Sequence, residues 1–126
     1  MKIVALIIRI LLGLIFTVFG ANGFFHFLPT PTLPSGLALQ YLTALMQSHY
    51  LLVPFAAQLI GGILLLVNRY VPLALTILGP VIVNILSFHI FMQPSGLPLA
   101  FVVAVLWAIL FYHYRQAFAG IFEQRA

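Results

Sequence analysis

The sequence predicts an all-α protein embedded in a membrane, and three observations carry that prediction. Of its 126 residues, 64% are hydrophobic and only 5% are charged, where soluble domains carry about 25% charged residues. Such a composition cannot coat a water-facing surface. Four apolar stretches follow one another, at about residues 3–27, 49–67, 71–91 and 99–118. Each is at or near the roughly 20 residues that cross a ~30 Å hydrocarbon layer as a helix. Finally, Lys2, Arg69, Arg115 and Arg125 fall on one side of that topology, while residues 28–48 and 92–97 contain no Lys or Arg. The positive-inside rule then puts both termini in the cytoplasm. The expected architecture is a single transmembrane domain. It is an integral membrane four-helix bundle with a short amphipathic interfacial helix at about residues 36–48, between the first and second spans. The bilayer is its first partner, and the expected location is the inner membrane of a bacterial cell.

The same composition excludes several functions. The net charge of +4 comes from scattered basic residues, with no basic stripe for nucleic acid. The chain has no cysteine, which removes disulfides, thiol relays, iron–sulfur ligation and Cys-based zinc sites. The apolar run after Lys2 continues past Arg9 to about Phe27. That exceeds a signal-peptide core of about 7–15 residues, and no A-x-A-like site follows, so it reads as a retained helix.

In the first segment Gly13, Thr17 and Ala21 recur every four residues, a small-residue stripe that lets another helix approach closely. Arg9 is expected to snorkel to the cytoplasmic interface; the alternative is a buried partner. Asn22 and His26 are spaced i, i+4 and would share a helix face. Residues 28–35 hold three prolines and cannot be helix interior; Ser35 is a candidate N-cap. In residues 36–48, Leu37, Ala38, Tyr41, Leu42, Leu45 and Met46 lie on one helical face, opposite Gln40, Thr43 and Gln47. This stretch is too short to span. It reads as a helix capping the bundle at the outer interface, or as a lid over a ligand entrance.

The second segment carries Pro54 in its first turns, Gln58 near mid-membrane, and the small pair Ala57 and Gly61. Pro72 opens the third segment at a favoured first-turn position. Further along, Pro80 deprives the Thr76 carbonyl of its helical partner. Asn84 and Ser87 are i, i+3 neighbours, whereas His89 is turned from Asn84 by about 140°. The fourth segment has the stripe Ala100, Ala104 and Ala108, then the boundary Tyr112 to Arg115, which resembles an interfacial belt.

Most of these polar residues fall in the outer half of the expected bundle, where membrane interior forces them to pair with each other or with a bound molecule. Asn22, His26, Gln58, Asn84 and His89 are the candidate ligand-binding set, with Phe24, Phe25, Phe88 and Phe91 available to a ring or tail. Interhelical hydrogen bonding is the plainer account of each. His26, His49 and His89 raise non-covalent haem or a metal, but no local ligand spacing supports either. The only carboxylate, Glu123, lies far away in the C-terminal tail. No metal site and no catalytic residue is assigned.

Several stretches together resemble the DoxX/DoxX-like group of small four-helix bacterial membrane proteins. They are Arg9 to Gly13, residues 20–27 (GANGFFHF), residues 58–66 (QLIGGILLL), residues 72–75 (PLAL) and residues 80–89 (PVIVNILSFH). The resemblance runs over nearly the whole chain and implies a compact bundle. The group takes its name from a subunit of thiosulfate:quinone oxidoreductase, so a quinone-linked or redox-accessory role is what the resemblance implies. Thiosulfate oxidation itself is not carried over. Three functions follow as expectations: binding of a quinone- or lipid-like molecule in an outward-facing polar pocket; a non-catalytic accessory subunit of a membrane oxidoreductase, with a redox protein or a second copy as partner; and an oxidoreductase that uses haem or quinone.

Overall fold

The computed structural model describes residues 2–26 and 35–124. Phe27, the proline-rich stretch 28–34 and Arg125 lie outside the described residues. Within them every regular element is helical: α1 (Lys2–Phe25), α2 (Gly36–Gln47), α3 (Leu52–Val67), α4 (Val71–Phe91) and α5 (Leu97–His113), with short 3₁₀ turns at Pro94–Gly96 and Arg115–Phe122. α1, α4 and the Pro94–His113 stretch are each long and apolar enough to cross a membrane, and α2 with α3 supplies a fourth span if that bent pair counts as one.

The element ends depart from expectation in instructive ways. α1 stops at Phe25 because His26 takes a left-handed conformation (φ 53°) while its N–H still bonds the Asn22 carbonyl at 2.8 Å. Such a cap satisfies a terminal carbonyl and turns the chain off the helix axis. His26 therefore leaves the helical face it was expected to share with Asn22. α3 begins at Leu52, not near His49; His49 (φ 63°) sits in the turn from α2. That turn sets α2 at 83° to α3. Ser35 stands at the N-cap of α2 with extended backbone, but its hydroxyl makes no capping bond. The α3–α4 connection is tight, with Asn68 and Tyr70 both left-handed and Pro72 in the first turn of α4 as expected.

α1 lies along α3, α3 along α4, α4 along α5, and α5 returns to α1; among the described residues α2 has no comparable backbone packing. The α1–α3 seam is the closest. A Cβ added at Gly20 would stand 2.6 Å from the Leu59 backbone nitrogen, and one at Gly62 2.5 Å from that of Thr17. The two backbones touch, which the small-residue stripe on α1 allows. Ala100 is buried and Ala104 packs partly buried against the core, so that stripe turns inward along much of α5.

Arg9 does not snorkel. It is buried, and its Nη1 donates to the Leu65 carbonyl and, at 3.4 Å, to the Leu66 carbonyl. These carbonyls close the last turn of α3, where backbone acceptors are in surplus and the helix dipole favours a cation. The contact also sets the start of α1 beside the end of α3. Lys2, Arg69 and Arg115 therefore cluster at one end of the molecule, called here the basic end.

The core concentrates at that end. Leu12, Leu65, Leu75, Leu78 and Leu110 are its largest fully buried side chains. The fourth apolar segment ends earlier than expected, at His113, and the chain folds back through a 3₁₀ turn that buries Phe118. Trp107, Phe111 and Phe118 form an aromatic column, with centroids 5.1 Å and 4.7 Å apart. α4 continues through Pro80 to Phe91. Beside the proline, Trp107 of α5 packs against Gly79 and its indole N–H donates to the Leu75 carbonyl at 3.0 Å. The bond falls on Leu75, the neighbour of Thr76, whose carbonyl is the one that Pro80 deprives of its helical partner.

Candidate functional site

The far half of the molecule, away from the basic end, packs differently. A cavity of about 590 Å³ opens between α2, α3 and α4, within the 300–1,000 Å³ typical of small-molecule sites. α2 contributes Tyr41, Leu42 and Leu45; α3 contributes Pro54, Phe55, Ala57 and Gln58; α4 contributes Ile77, Pro80, Val81, Asn84, Ile85, Phe88 and His89. Each helix has a physical reason to face it. The apolar face of α2 supplies the roof, where Tyr41 stacks on Phe88 with centroids 5.6 Å apart. On α4, residues 77, 80, 81, 84, 85 and 88 recur at helical spacing and so form one wall. Pro80 and Asn84 are exposed, and the cavity reaches the protein surface between α3 and α4.

A second cavity of about 230 Å³ lies among α1, α3, α4 and α5, lined by Ile15, Phe16, Phe19, Leu99, Ala100 and Val103 among others. Phe55, Gln58, Ile85 and His89 border both spaces. They form the partition between a lateral chamber and an axial one.

Gln58 is the unusual residue in that partition. Only 8% of it is exposed, it faces both chambers, and its amide makes no hydrogen bond to a described residue. Its amide is accessible from the chambers rather than sealed in the core; among the described residues the fully buried side-chain polar atom without a partner is Thr17 Oγ1, on the α1–α3 seam. His89 is tied down. Its Nδ1 lies 3.0 Å from the Gln93 carbonyl, and a carbonyl only accepts, so Nδ1 carries the proton. In the neutral ring Nε2 is then an acceptor. The ring stands edge-on to Phe88 and presses on Gly96, where a Cβ would overlap it.

Of the five residues expected to form the site, Gln58, Asn84 and His89 border the lateral chamber together. Asn22, half-buried on α1, and His26, exposed beyond its end, stand outside the walls of both chambers. Among the expected phenylalanines only Phe88 lines a chamber; Phe24, Phe25 and Phe91 are exposed. Ser87 is satisfied within its own helix, donating to the Val83 carbonyl at 2.9 Å. His26, His49 and His89 do not converge, and no group of three metal-ligating side chains exists among the described residues. Phe55 and Tyr41 were missed as site residues. Phe55 stands three residues before Gln58 and so shares its helix face; Tyr41 lies on the apolar face of α2.

These walls supply shape and hydrogen bonds. Glu123, the chain's sole acidic side chain, follows the turn after α5 and lines neither chamber, so no acidic side chain orients His89 or activates Ser87. Compared with known proteins, the chain matches no family model, no curated protein and no solved structure.

Proposed function

We propose that this chain is a DoxX-like protein of the bacterial inner membrane. It is a transmembrane four-helix bundle with both termini cytoplasmic, and it holds a quinone- or lipid-like molecule beneath α2 in a redox-linked role. Gln58 carries the reading: a nearly buried amide without a described partner borders a mainly apolar cavity of ligand size. A polar head group in the cavity would complete its hydrogen bonding, and the apolar walls suit a ring or chain. The donor set fits a quinone, since the Gln58 and Asn84 amides can each donate to a ring oxygen. The clustering of Lys2, Arg69 and Arg115 at one end supports the orientation. The 83° angle between α2 and α3 supports an α2 that lies along the outer interface while α3 crosses. The sequence resemblance supports the link to quinone and redox chemistry.

Native mass spectrometry of the protein released gently from its own membrane tests this reading. Excess mass matching a quinone or lipid is the expected result, and Gln58→Leu should retain less of that mass while remaining folded. A bare polypeptide mass for the unmodified protein sinks the ligand reading. A stoichiometric complex with another membrane protein, and no small molecule, transfers support to the accessory-subunit role.

A further inference from the structure

We infer that the head group read by this cavity is a hydroxyl, so that a ring ligand binds more tightly in its hydroxylated, reduced form than in its carbonyl form. The inference rests on the ligand-binding reading above and adds the chemistry of the head group.

Two side chains in the partition carry it. The Gln58 amide offers donors and an acceptor, none engaged by a described residue, and so accommodates almost any polar atom. His89 is selective. Its Nδ1 proton is committed to the Gln93 carbonyl, a bond that is lost if the ring turns over, and the ring lies against Gly96 in space that a Cβ there would occupy. The neutral ring therefore has Nε2 left over as an acceptor, with no hydrogen-bond partner among the described residues. An acceptor is satisfied only by a donor. A hydroxyl oxygen can donate its proton to Nε2 while accepting from the Gln58 amide. A carbonyl oxygen can accept from Gln58, but it would turn a lone pair toward the lone pair of Nε2. Both residues border both chambers, so the preference holds whether the head group sits on the lateral or the axial side of the partition.

Decylubiquinol and decylubiquinone are suitable probes, because they share ring substituents and tail and differ only in two hydroxyls against two carbonyls. Binding is measured anaerobically on the full chain in lipid nanodiscs, by native mass spectrometry and by the shift in thermal unfolding. The quinol is expected to bind about five- to tenfold more tightly, the value of one well-made neutral hydrogen bond. His89→Phe should erase the preference, whereas Gln58→Leu should weaken both forms alike and leave the preference in place. If His89→Phe does not fold, the selectivity of the unmodified protein and of Gln58→Leu still decides. Equal binding of the two forms, or tighter binding of the quinone, overturns the hydroxyl inference and leaves the ligand reading standing. If neither probe binds, the quinone version of that reading falls together with this inference.

Discussion

The two halves of this molecule are built from the same four long helices but packed to different ends. At the basic end, five leucines are fully buried, Arg9 is bonded to the carbonyls of α3, and Phe118 folds back against Phe111. In the other half the helices spread around two cavities, and α2 covers one of them with little backbone contact of its own. The seam of α1 on α3 runs through both halves and keeps them in register. The comparison teaches that close packing and open space are separated along the helix axis. One half is closed by apolar packing, and the other leaves Gln58 at the cavity walls without a hydrogen bond to a described residue.

The sharpest way to break this comparison is to force the seam apart. Gly62→Leu puts a side chain where the backbone of Thr17 already stands, and should cost about 3 kcal/mol or more; equilibrium unfolding in detergent measures it. An unchanged midpoint would mean that the two backbones do not touch. Next in size is Arg9→Met. It removes a charged donor from two carbonyls of α3 and should destabilise by about 2 kcal/mol, with Arg9→Lys falling between. A surface role for Arg9 predicts no loss. Gln58→Leu should act with the opposite sign. Replacing an amide that faces two mainly apolar chambers with an apolar side chain should stabilise the ligand-free protein by about 1 kcal/mol while ligand retention drops, a trade between stability and function. Loss of both would indicate that Gln58 has a structural partner. Ser87→Ala should be the mildest, within about 0.5 kcal/mol, with unchanged ligand retention, because its hydroxyl is bonded to its own helix.

Much of the helical pattern was legible because membrane solvent leaves few choices. A segment such as residues 71–91 is apolar on every side and bounded by Pro72 and the Gln93-Pro94 turn, and it appears as α4 with those ends. Errors arose where a local turn, rather than hydropathy, ended a helix. Nothing in the composition around His26 or His49 marks a left-handed residue, yet those two residues end α1 and delay α3. The site was legible in part. Periodicity can say that Gln58 and Phe55 share a face, but not which neighbour that face meets. Asn22, near the outer end of its segment, and Gln58, near mid-membrane, are both amides, and nothing in the sequence says which of them meets a cavity. In the fold Gln58 borders both cavities, whereas Asn22 lies outside their walls. Arg9 was misjudged because a lone cation near a helix start suits the interface equally well; the waiting carbonyls of α3 lie 56 residues away in sequence.

Trp107 gives this division a spectroscopic form. It is the only tryptophan in the chain, and it is fastened to α4 through the Leu75 carbonyl and stacked on Phe111, away from both cavity walls. Its emission therefore monitors the closed half alone, while the tyrosines Tyr41 and Tyr50 border the lateral chamber. The other three tyrosines, Tyr70, Tyr112 and Tyr114, stand at the basic end, so replacing those three with Phe leaves one intrinsic chromophore set for each half. A transition seen in tyrosine signals and absent from tryptophan emission would be a movement of the roof over an unmoved base.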